Sequence, residues 1–225
     1  MPDQNKIAWG LLRRRQCLVP TLRGCLVITV AALLLGLFFA RAINPFLAVS
    51  DELPGGVLVV EGWAPDYALE AAVAEFNRNH YEKLYVTGGP IDQGAPLSEY
   101  KTYAELGAAI LLKMGLNTNV VQAIPAPWVR QDRTYASAVT LRSWWREHQS
   151  TPAKINLLTV GPHARRSRLL VEKALGNDVN VGVISIPGKD FDGAHWWRSS
   201  AGVRNTIGET IAYGYARFLF YPSKQ

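Results

Sequence analysis

Residues 155–175 read INLLTVGPHARRSRLLVEKAL. The run 155–160 is short and almost continuously apolar, which is the pattern of a strand buried on both faces rather than one with a wet side. Gly161-Pro162 ends it, and a helix follows over 163–175. A strand, a tight turn and a helix in 21 residues is the repeating unit of a parallel sheet.

The same unit recurs on both sides of that stretch. Upstream, strands are expected at 57–60 (VLVV), 83–87 (KLYVT) and 120–124, with helices at 67–79, 99–114 and 132–149. Leu69, Ala72, Val73 and Phe76 fall at helical spacing in the first helix. Gly115 stands where a helix C-cap belongs, and Asp66 and Asp132 stand as N-caps. Downstream come a strand at 181–186 and a last helix at 200–220, striped by Ile207, Ile211, Gly214 and Phe218. Regular β-α alternation with short connections predicts an α/β, Rossmann-like parallel sheet of about five strands with helices on both faces.

The segment before this domain has different chemistry. Residues 24–40 (GCLVITVAALLLGLFFA) carry no charge, and Ala42, Ile43, Phe46 and Leu47 extend the apolar character past Arg41. About 17 residues is the short end of what spans a bilayer. Lys6, Arg13, Arg14, Arg15 and Arg23 precede the run against Asp3 alone, so the N-terminus is expected in the cytoplasm and the domain outside it, at the inner (plasma) membrane. The organisation read from this is a basic tail at 1–23, a signal-anchor helix at 24–47, a linker at 48–56 (SDELPGG lies within it) and one domain at 57–225. A cleaved signal peptide is the rival reading, since Ala40-Arg41-Ala42 has the small-x-small form, although an arginine suits that motif poorly.

The net charge of +6 belongs largely to that topology signal. Without the six basic residues before and at the edge of the apolar run, and without Asp3, 18 basic and 17 acidic residues remain. A near-neutral domain argues against nucleic acid as a partner. Cys17 and Cys25 are the only cysteines and neither is in the domain, which excludes a Cys-ligated zinc site or a cysteine nucleophile there. Neither a G-x-G-x-x-G nor a Walker motif is present, so classical dinucleotide or ATP binding has no support, and the sequence leaves any cofactor unknown.

In a parallel sheet, ligands bind outside the carboxyl ends of the strands. The residues at those places are Glu61 and Gly62, then Thr87-Gly88-Gly89, then Arg133-Thr134, then His163 and Arg166, with Glu99 at a helix start. The glycines offer close backbone approach and amide N–H groups to an anion. His163 and Arg166, three apart at a helix start, share one face and suit a phosphate or carboxylate. The positive helix end is expected to lower the His163 pKa and keep the ring neutral. Glu61 ends an apolar strand, where a charge is costly unless paired. His163 and Glu99 are the candidate general acid or base; Glu61, Gly62, Thr87, Gly88, Gly89, Arg133, Thr134 and Arg166 are the candidate ligand-binding set. Each also has a bland reading as a cap, a turn or a solvated helix start. Trp63, Trp196 and Trp197 suit either a ligand rim or core packing.

The order strand-Gly62, strand-Thr87-Gly88-Gly89, Ser98-Glu99, Arg133-Thr134 and strand-x-x-His163-x-x-Arg166 resembles the YdcF/SanA/ElyC family of bacterial envelope-associated proteins, over roughly residues 55–220. The resemblance implies a Rossmann-like domain behind one membrane helix and a role in cell-envelope or peptidoglycan-related homeostasis. It implies a site without naming a reaction. Glu61-Gly62-Trp63 and Tyr67 depart from the Leu-Gly-Gly and following arginine usual in that family, and Trp196-Trp197 and the run at 215–221 suggest a distinct subgroup. The expectation is a membrane-anchored protein that acts on or binds an anionic small molecule or a lipid- or sugar-phosphate. The alternative is a non-catalytic binding or assembly subunit of a membrane complex.

Overall fold

The computed structural model describes residues 20–222, together with the backbone of a two-stranded pair at Lys6–Ile7 and Leu12–Arg13. Arg14, Arg15 and Cys17, part of the expected cytoplasmic tail, lie outside the described residues. The chain divides into two compact units, Met1–Ala40 and Arg41–Gln225.

Helix α1 (Leu22–Leu47) is long and apolar enough to cross a membrane, and its residues up to 40 are almost all exposed. Its last turn belongs to the folded unit. Ile43, Asn44 and Leu47 are buried there, and Asn44 donates from Nδ2 to Thr206 Oγ1 at 2.9 Å. The stretch expected as a linker is also docked. Asp51 and Val183 exchange backbone hydrogen bonds as an antiparallel bridge, and Leu53 is bracketed by the Asn156 side chain.

The folded unit carries five strands: β1 (Val57–Glu61), β2 (Leu84–Gly88), β3 (Val121–Pro125), β4 (Lys154–Val160) and β5 (Asn180–Ile186). All neighbouring pairs are parallel, in the order β3-β2-β1-β4-β5. The order reverses between β1 and β4, which makes that pair the topological switch point where such sheets open a crevice. Residues of β1 and β2 are buried throughout, as the apolar runs predicted, whereas edge strand β3 is largely half-exposed.

Alternation along the strands separates two cores. Leu58, Val60, Leu84, Val86 and Leu158 pack on α2 (Asp66–Arg78) and α3 (Tyr103–Lys113). Val57, Val59, Tyr85, Ile155 and Leu157 pack on α4 (Arg133–Glu147) and α5 (Ala164–Leu175). Helix α6 (Ser200–Phe218) lies against α5 and closes the chain.

Helix starts differ from the sequence reading. Helix α3 begins at Tyr103 rather than 99 because Thr102 and Glu105 form a capping box: the Thr102 hydroxyl accepts from Glu105 N–H, and the Glu105 carboxylate accepts from Thr102 N–H. Asp66 is not an N-cap but the first helical residue after Pro65. Asp132 occupies the N-cap place of α4, yet its backbone is left-handed (φ 55°) and its side chain makes no capping bond.

Candidate functional site

Glu61 is the last residue of β1 and is 5% exposed. Its carboxylate accepts from Thr159 Oγ1, on the neighbouring strand β4, and from Ser167 Oγ on α5 at 3.3 Å. His163 ends the single 3-10 turn, Gly161–His163, that links β4 to α5. Gly161 makes that turn possible, since its φ of 52° lies where residues with a Cβ are strained. The turn sets His163 Nε2 3.6 Å from Glu61 Oε1, an ion-pair distance too long for a hydrogen bond, so Nε2 has no hydrogen-bond acceptor. On the other side of the ring, Nδ1 stands 2.9 Å from Glu209 Oε1, which α6 supplies. Arg166, one turn along α5, donates from Nε to Glu209 Oε2 at 2.7 Å and from Nη2 to Glu209 Oε1 at 2.9 Å.

Two carboxylates and two cations therefore form a closed, mostly buried group, Glu61–His163–Glu209–Arg166. Its electrostatics reverse the neutral imidazole expected for His163. Burial pulls the His163 pKa down, but the Glu61 charge and the hydrogen bond and charge of Glu209 outweigh it and hold the ring at about 9. The helix-end effect is worth about 1 kcal/mol or less in most settings, and two carboxylates at contact exceed it. Burial pushes Glu209 up, yet the Arg166 and His163 bonds bring it down to about 2. Glu61 is likewise held below its ordinary value against burial, first by the His163 charge. With the ring protonated, Nδ1–H donates to Glu209, and the Arg166 Nη2, 2.8 Å from Nδ1, donates to the same carboxylate at 2.9 Å rather than to the ring.

The group borders a cavity of about 790 Å³ at the carboxyl edge of the sheet. Glu61, Thr87, Gly88, Gly89, Arg133, Thr134, His163 and Arg166 all line it. Trp63, 42% exposed, packs edge-to-face on the His163 ring at 5.1 Å. Trp128, Arg130 and Asp92 lie on the wall beside Arg133, and Arg133 donates to Asp92 Oδ2 at 2.7 Å.

Two residues of the expected set are not on this wall. Glu99 is exposed in the loop before α3, because the capping box starts that helix later, and it meets no member of the buried group. Gly62 gives close approach to protein rather than ligand: a Cβ there would stand 2.3 Å from the Tyr103 carbonyl oxygen. Gly88 lines the cavity, but a Cβ on it would also press on Tyr103 and Ala104 at 2.8–2.9 Å, so its smallness serves α3 packing as well. Arg166, expected to hold a ligand anion, is engaged by the chain's own Glu209. Of the three tryptophans, Trp196 is buried and Trp63 alone stands on the cavity wall. Among the described residues, no group of three or more His, Cys, Asp and Glu suited to a metal ion occurs.

Sequence reasoning missed Glu209, Thr159 and Trp128; Arg130 and Ser167 lie in the strand-end stretches 130–134 and 161–168 that it pointed to, but it gave neither a role. Glu209 had one legible sign: it is the only acidic residue after Asp192. No protein family, characterised protein or solved structure matches the chain.

Proposed function

We propose that this is a membrane-anchored bacterial envelope protein, its folded unit outside the cytoplasm, whose strand-end cavity takes an anionic envelope metabolite. A phosphorylated sugar or lipid fits this description, in the manner of the YdcF/SanA/ElyC proteins that the motif order resembles. Support for the anchor and its orientation comes from the apolar α1 and the basic residues that precede its uncharged stretch.

One observation carries the reading. A cavity of about 790 Å³ sits at the switch point of a parallel sheet, a volume ordinary for small-molecule sites. Its wall combines exposed arginines, Arg130 and Arg133, with a protonated His163 whose Nε2 proton lacks an acceptor. An anion meets the arginines and Gly89 at the wall. The His163 ring beside Trp63 adds its positive charge to that corner of the wall.

A non-catalytic binding module is the second reading, and the charge balance of the buried group favours it. Glu61 and Glu209 already match His163 and Arg166, so the group is balanced in charge without ligand.

The test uses the full chain in nanodiscs, with a panel of sugar phosphates and isoprenoid phosphates read by native mass spectrometry. Retention of a phosphorylated compound by the native chain, weakened at least tenfold by Arg133→Ala, is the expected result. Equal retention of the neutral parent compounds contradicts the anion site. With a bound compound in hand, turnover lost in His163→Ala while binding persists selects the enzyme, and its absence in the native chain selects the binding module.

A further inference from the structure

Helix α6 carries an apolar stripe that nothing in the folded unit covers. Ile207, Ile211, Tyr215 and Phe218 recur at steps of four, four and three, and all are exposed, Ile211 by 69% and Phe218 by 67%. Leu219 and Tyr221 continue the stripe beyond the helix at 71% and 81%. Single exposed apolar residues are ordinary, but a contiguous helical row of this kind marks a contact surface.

Three observations say what the surface meets. The last turn of α1 is packed on α6: Asn44 donates to Thr206, and the Phe46 ring stands edge-on to Tyr213 at 5.8 Å. The apolar stretch of α1 ends at Arg41, only a few residues earlier, so the chain leaves any bilayer it crosses within reach of α6. Aromatic and basic groups gather at that exit. Arg41 lies over the Trp197 ring and Arg165 over Phe46, the mixture found at the headgroup level of membranes. Finally, the exposed charges on α6 are Arg204 and Arg217, near its two ends, while its single acid, Glu209, is turned inward to Arg166. An apolar row with basic ends is the pattern of a helix that rests in an anionic interface.

We infer that α6 is a second membrane contact: its stripe from Ile207 to Phe218 lies in the headgroup region of the bilayer that α1 crosses. This rests on the membrane-anchored reading above and adds that the folded unit itself touches lipid. Because α6 also lends Ala212, Tyr215 and Ala216 to the cavity wall, the contact brings the cavity beside the lipid headgroups.

The experiment places a spin label on the full chain in nanodiscs containing phosphatidylglycerol, after Cys17→Ser and Cys25→Ser. Ile211→Cys and Phe218→Cys report on the stripe, and Glu70→Cys, exposed on α2, is the aqueous reference. Collision with oxygen should exceed collision with a water-soluble nickel chelate at 211 and 218, with the reverse at 70. Nickel accessibility at 211 and 218 equal to that at 70 overturns the contact while leaving the anchor intact. Low accessibility to both reagents shows a protein cover, a second copy or another subunit, and also overturns it. Loss of the chain from the discs in flotation overturns the anchor and the contact together.

Discussion

Two carboxylates of this chain are equally buried, Glu61 and Glu75, each 5% exposed, and they sit at opposite edges of the sheet. Glu75, on α2, accepts from Asn79 Nδ2 at 2.6 Å, from the Tyr81 hydroxyl at 2.9 Å and from Arg78. Tyr81 accepts in turn from Asn156 near the start of β4, which brackets Leu53. Every polar group there has a partner, and none borders the large cavity. Burial and the Glu75 carboxylate push the Tyr81 hydroxyl well above its ordinary pKa, which favours it as the donor to Glu75. Glu61 belongs to a group made of full charges, it borders the cavity, and its partner His163 has a ring nitrogen without an acceptor. Burial of a charge is thus no sign of function by itself. Position at the carboxyl edge, a cavity and an incomplete hydrogen-bond set distinguish the two.

The largest expected difference between the two regions is in stability. Glu209→Ala strips the shared partner from His163 and Arg166 and leaves two cations mostly buried, which should cost about 3–5 kcal/mol in urea denaturation. Glu75→Ala frees Arg78, which is already 70% exposed, and orphans neutral groups only. Its cost should be nearer 1–3 kcal/mol. A larger loss at Glu75 than at Glu209 would break the comparison.

The pH dependence should differ next. His163 is raised from 6.5 to about 9, so its contribution is complete below pH 6.5 and is lost as pH rises through 9. The shift corresponds to about 3 kcal/mol. Glu209 is lowered from 4.5 to about 2, so its contribution is complete above pH 4.5 and is lost as pH falls through 2. Stability should therefore be greatest between about pH 4.5 and 6.5, with a decline from pH 6.5 to about 9 that Glu209→Gln flattens and Glu75→Gln leaves in place.

Smaller effects sharpen the contrast. Glu75→Gln keeps one acceptor oxygen for Tyr81 and should cost about 1 kcal/mol. Asp92→Asn breaks an ion pair whose side chains are 66% and 57% exposed, and should change stability by less than about 1 kcal/mol. A tighter grip on a phosphorylated ligand in that variant, by isothermal titration, is the expected consequence of freeing Arg133.

Strands were the most legible feature, because burial on both faces leaves a continuous apolar run in all but edge strand β3; each of the five begins and ends within a residue of its expected place. The start of α3 at Tyr103 was not legible, because Ser98-Glu99 looks like a cap until Thr102 and Glu105 are seen to close their own box. The strand-end rule drew attention to Glu61, His163 and Arg166, but it could not supply Glu209. That partner lies more than forty residues from His163 and Arg166, in a helix whose apolar stripe dominates its pattern. Without Glu209, and without the Glu61 contact across β1 and β4, the helix end was the only visible influence on His163, and the expected direction of its pKa shift followed from that alone.

The candidate site depends on a charged His163 held between Glu61 and Glu209 at the cavity edge. The direct measurement is a pH titration of the His163 ring nitrogens by ¹⁵N NMR on the full chain, assigned with His163→Gln. A midpoint near 9, with both nitrogens protonated at neutral pH and the midpoint lowered in Glu209→Gln, is the result expected. A midpoint at or below 6.5, unmoved by Glu209→Gln, would contradict it.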